Sequence, residues 1–91
     1  MDIYLETNIN LLVRLSKEAH AQNTDAKRYV VIAKGISEIL NTIAKHHGIE
    51  CLHYVAYAAQ LRLGHTLGPL NASIMDKLIR QGCIVTRVIY A

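Results

Sequence analysis

GPLNASIMDKLIRQGCIVTRVIYA, residues 68–91, combines a helix pattern with a β-branched run, and the architecture turns on how the two are joined. Pro69 suits the first turn of a helix, where the missing N–H costs nothing and φ is already helical. Leu70, Ile74, Met75, Leu78 and Ile79 then recur at helical spacing, with Asp76, Lys77, Arg80 and Gln81 on the other side. Gly82 supplies the left-handed residue that stops a helix. The run Cys83-Ile84-Val85-Thr86-Arg87-Val88-Ile89-Tyr90 is β-branched and reads as a strand. A lone strand leaves a row of N–H and C=O groups to be paired, most economically by the same strand of a second copy. The expectation is a homodimer with Cys83, Val85, Arg87 and Ile89 at its interface.

Upstream, the pattern is helical throughout. Residues 3 to about 22 form a first helix on Leu5, Ile9, Leu12 and Ala19, with Tyr4, Leu11 and Leu15 widening the stripe so that two sides should be covered. The polar cluster Gln22-Asn23-Thr24-Asp25 breaks it, with Asn23 or Thr24 placed to cap the next helix and Asp25 against its positive end. That second helix, about Asp25 to His47, carries Tyr29, Ile32, Ala33, Ile36, Ile39, Leu40 and Ile43 in a three-and-four rhythm. Gly35 inside it costs ~1 kcal/mol relative to Ala, which a close helix crossing would explain; a break at Lys34-Gly35 is the alternative. A third helix, Ile49 to Leu63, is apolar nearly all round and reads as central, and Gly64 ends it. The fold class is mainly α: a single domain over residues 1–91, four helices and one C-terminal strand, paired across a homodimer.

Composition narrows the function classes. The chain has 91 residues, 52% hydrophobic and without Trp or Phe, so part of the apolar surface is expected to belong to a partner. Its longest charge-free stretches are too short or too broken by Gly and Pro to span a bilayer. The first residues, Met1-Asp2-Ile3-Tyr4-Leu5-Glu6, do not resemble a signal peptide, and two cysteines do not make a disulfide framework; a cytoplasmic protein with no membrane association is expected. The net charge of +3 lies wholly in residues 51–91, where Arg62, Lys77, Arg80 and Arg87 face Asp76 alone. A basic surface of this kind suits an anionic partner.

Other chemistry finds little support. His46, His47, Cys51 and His53 are ligand-type residues, but their spacing matches no established zinc pattern, and helix-end capping with a packed thiol is the simpler reading. Neither cysteine sits near an oxyanion-forming turn, and the glycines fit no phosphate-binding loop. No enzyme, metal or cofactor is expected. What remains is basic: Arg62, Lys77, Arg80 and Arg87 as nucleic-acid contacts, in a helix-turn-helix-strand order like that by which a winged helix presents its recognition helix, with Asn71 and Ser73 beside them.

The Ile-Asn-Leu-rich first helix and the late spacing of Leu78, Cys83 and Arg87 resemble, in fragments only, the flagellar master-regulator D subunit and its mobile-element relatives. No residue role is carried over from that likeness. The expected function is a small regulatory protein, dimeric, that binds DNA or joins a DNA-binding transcription complex. The rival is a protein-binding adaptor, inhibitor or chaperone that captures a partner polypeptide on an apolar helix face or strand edge.

Overall fold

The computed structural model of the chain describes residues 3–83. Four helices follow in order: α1 Ile3–Ala19, α2 Ala26–His47, α3 Ile49–Leu63 and α4 Ala72–Arg80. From residue 84 onward the expected strand, and with it Val85, Arg87 and Ile89, lies outside the described residues.

Helices α1, α2 and α3 each pack on the other two, and α4 packs chiefly on α2. The Cα radius of gyration is 12.1 Å, near the ~12 Å of a single domain of this length, so a core closes within the one chain. Fully enclosed in it are Ile9 and Leu12 of α1, Ile36, Leu40 and Ile43 of α2, Leu52 and Val55 of α3, and Ile74, Met75 and Leu78 of α4. The helical stripes of the sequence therefore face inward as expected, with the exception of Tyr4, which stays exposed, and α1 is covered by α2 and α3.

Chain punctuation is where expectation and structure part. Helix α1 stops at Ala19, short of Gln22: the Ala21 N–H turns to the Glu18 carbonyl, and the Thr24 hydroxyl donates to that same carbonyl. Thr24 thus closes α1 and does not cap α2. The cap is Asp25, whose carboxylate accepts from the Arg28 N–H at 2.7 Å. Arg28 returns across the turn to pair with Glu18. Helix α2 runs unbroken through Gly35, where an added Cβ would meet only the Leu15 side chain, at 3.8 Å. No close crossing demands glycine there.

Helix α4 begins at Ala72, three residues beyond Pro69, because Leu67, Gly68, Pro69 and Leu70 are drawn into the core as an irregular buried segment. The Ser16 hydroxyl, buried in the α1 stripe, donates to the Leu67 carbonyl and anchors that segment. Helix α3 is buried on one face only, through Leu52, Val55, Ala56 and Ala59. Its other face leaves Tyr54, Tyr57 and Leu61 exposed, Leu61 to 67%. Among the described residues no helix is long and apolar enough to cross a membrane.

Candidate nucleic-acid interface

Helix α4 is short, and its ends are firmly made. At the start, the Asn71 side-chain carbonyl accepts from the Ile74 N–H at 2.9 Å. The same residue's backbone N–H reaches the hydroxyl of Ser37 on α2 at 3.4 Å. Its side chain is therefore committed to holding the helix. At the far end, Gly82 adopts φ 75°, its N–H bonds to the Ile79 carbonyl, and the Cys83 N–H bonds to the Leu78 carbonyl at 2.9 Å. This pair of bonds is a Schellman closure, with buried Cys83 and Leu78 as its apolar contact.

Between these ends the helix is sharply two-sided. Ile74, Met75 and Leu78 enter the core, while Ser73, Lys77 and Arg80 are exposed at i, i+4 and i+7 and so share one face. Lys77 and Arg80 occupy the last turn, where cations also oppose the negative end of the helix dipole. The structure brings these two expected contacts together.

Arg62 stands apart from them. Its guanidinium donates to the Asn10 side-chain oxygen at 2.7 Å and pairs with Glu6 at 2.8 Å, both on α1. The sequence showed Arg62 as one of four cations with little acid nearby in the chain; the fold sets an acid from fifty-odd residues upstream against it. Arg87 lies outside the described residues. The order helix, turn, helix is present, but eight residues, 64–71, separate α3 from α4, against the three or four of a DNA-binding helix-turn-helix. The base under α4 is accordingly α2.

Cys83, expected from the sequence at a dimer interface, is 5% exposed within the single chain. Its sulfur lies 3.1 Å from Nδ1 of His53 and 3.7 Å from that residue's carbonyl oxygen. Its own carbonyl accepts from the Gln60 side chain. Burial pushes the thiol up from 9.0 to about 11. The attacking species in cysteine chemistry is the thiolate, so a thiol held protonated at neutral pH is poorly placed as a nucleophile. Both cysteines are free thiols. The cluster suggested by His46, His47, Cys51 and His53 does not assemble: among the described residues no three metal-binding side chains come together, His47 lies tilted against Tyr4 at 5.0 Å between ring centroids, and His53 stacks on Tyr57 at 6.3 Å.

One feature escaped the sequence reading. An open groove of ≈ 810 Å³ runs between α2 and the start of α4, floored by Tyr29, Val30, Ala33, Leu70 and Ala72. Val30, exposed to 63% and outside the inward rhythm of α2, was the available signal.

No protein-family model, curated protein or solved structure matches the chain significantly.

Proposed function

We propose that this chain is a small regulatory protein that acts as a homodimer and binds DNA, alone or as part of a DNA-binding transcription complex. The observation that carries this reading is the two-sided α4: Lys77 and Arg80 share an exposed face while the opposite face is fixed in the core. Cations on a rigid, capped helix serve as phosphate contacts, and such contacts release counterions, so binding falls steeply with salt. The excess of positive charge in residues 51–91 favours the same partner, and pairing of the strand expected at 83–90 would double the basic surface about a two-fold axis.

A gel-shift titration of mixed duplex DNA at two salt concentrations tests the proposal. Wild-type protein should retard DNA at low salt, and Lys77→Glu/Arg80→Glu should not. Neutralising the two side chains without reversing them should lower the log–log salt slope by roughly 2 per protomer. Absence of retardation at low salt with micromolar protein removes the DNA reading, and a protomer mass in sedimentation equilibrium at that concentration removes the homodimer.

The α2–α4 groove favours a second reading, capture of a partner polypeptide by an adaptor or inhibitor. Val30→Asp would then abolish partner recovery in a pull-down from the native host while leaving DNA retardation intact; recovery equal to wild type removes this reading.

A further inference from the structure

His20 directly follows α1, and His65 lies in the buried-segment linker just after α3. Their rings stand 4.6 Å apart, centroid to centroid, with planes tilted by 52°. Each ring spends its Nδ1 on a backbone carbonyl: His20 on Ser16 at 2.7 Å, His65 on Thr66 at 2.8 Å. A carbonyl oxygen can only accept, so each Nδ1 carries the hydrogen, and in the neutral ring the lone pair is left on Nε2. Histidines that ligate metals are held in this way, one nitrogen donating to a carbonyl or carboxylate so that the other is oriented as the ligand.

We propose that His20 and His65 together form a two-imidazole binding site for a divalent late first-row transition metal ion, with zinc as the reference ion. Neutral imidazole suits zinc, copper and nickel, and two nitrogen ligands without carboxylates do not suit calcium or magnesium. The carriers of the two rings are already tied together: Ser16, which anchors the His20 ring, also donates its buried hydroxyl to Leu67, two residues beyond His65. The rings are thus presented from a fixed junction, and little ordering remains to be done on binding. Both residues are exposed, so an ion can arrive with its water and keep it in the remaining coordination positions. With two protein ligands this is an exchangeable site, unlike the closed four-ligand sites that hold structural zinc. Two of the chain's other imidazoles are engaged elsewhere: His47 lies against Tyr4, and His53 against Cys83 and Tyr57. Bound metal would clip the end of α1 to the linker that leads into α4.

The test uses the full chain titrated with zinc chloride, followed by calorimetry and by the thermal midpoint. Wild type should take up zinc with a midpoint rise of roughly 5 °C or more near saturation. His20→Gln and His65→Gln should each weaken binding by at least about tenfold, and the double variant should remove the midpoint rise. His46→Gln/His47→Gln, which leaves the site untouched, should bind as wild type. Since both target residues are exposed, the variants should keep the wild-type circular dichroism spectrum. In ¹⁵N imidazole spectra the free protein should show Nδ1 protonated in both rings, and zinc should shift both Nε2 resonances. Zinc binding as tight in the double variant as in wild type, no binding by wild type at millimolar zinc, or Nε2 protonated in the free rings would each overturn the proposal.

Discussion

Ser16 and Leu67 lie fifty-one positions apart in the chain, yet the buried hydroxyl of one donates to the carbonyl of the other. That bond is what allows an irregular segment to run through the core between α3 and α4, since a buried carbonyl without a donor is costly. Ser16→Ala leaves the Leu67 carbonyl unpaired and should cost about 1–3 kcal/mol in urea denaturation. A loss under a few tenths would mean that water or another donor replaces the hydroxyl.

Gly35 offers the reverse case. It sits inside α2 with room for a Cβ in ordinary contact with Leu15. Gly35→Ala should stabilise the fold by up to about 1 kcal/mol, because alanine lowers the entropy of the unfolded chain and has the higher helix propensity. Destabilisation in the same assay would show that the α1–α2 approach is tighter than this contact implies.

Asn71 carries the start of α4. Asn71→Ala should cost about 1 kcal/mol, and Asn71→Asp or Asn71→Ser should restore most of it, since each returns an acceptor for the Ile74 N–H. If Asn71→Ala reduced DNA retardation without changing stability, the side chain would be a contact and not a cap.

The Cys83 thiol has its pKa raised by burial to about 11, against 9.0 when unfolded. The folded state therefore holds this proton more tightly. Its stabilisation is fully present below pH 9 and is lost as pH rises from 9 toward 11. Wild type should exceed Cys83→Ala in stability by a margin that narrows across that window by on the order of 2 kcal/mol. At pH 8 Cys83 should also react with iodoacetamide far more slowly in the folded protein than in urea, followed by mass spectrometry; equal rates would place the thiol at the surface.

Arg62 should separate from the other cations in function. Its pair with Glu6 is half exposed and worth about 0–1 kcal/mol. Arg62→Ala should accordingly change both stability and DNA retardation little, whereas Lys77→Ala and Arg80→Ala should weaken retardation at low salt. An effect of Arg62→Ala as large as theirs would show that the guanidinium leaves Glu6 for the ligand.

The four helices were legible in the sequence because helical periodicity is local: Ile32, Ile36, Leu40 and Ile43 declare the inner face of α2 with no knowledge of what they touch, and Gly64 and Gly82 mark stops through their own backbone freedom. The α4 face bearing Lys77 and Arg80 followed from the same spacing. Choices between partners far apart in the chain were made by packing alone. Nothing in the local spacing around Ser16 points to Leu67, which comes to lie over it, and Arg62 looked like a free cation until α1 brought Glu6 and Asn10 alongside. Pro69 looked like a helix start until burial of Leu67 and Leu70 moved that start to Ala72. The nearness of His20 to His65 carries no signal in spacing at all, because it arises where the end of α1 meets the chain leaving α3. Local pattern sets which face of each helix turns inward; packing sets which polar groups, left over from those faces, find one another.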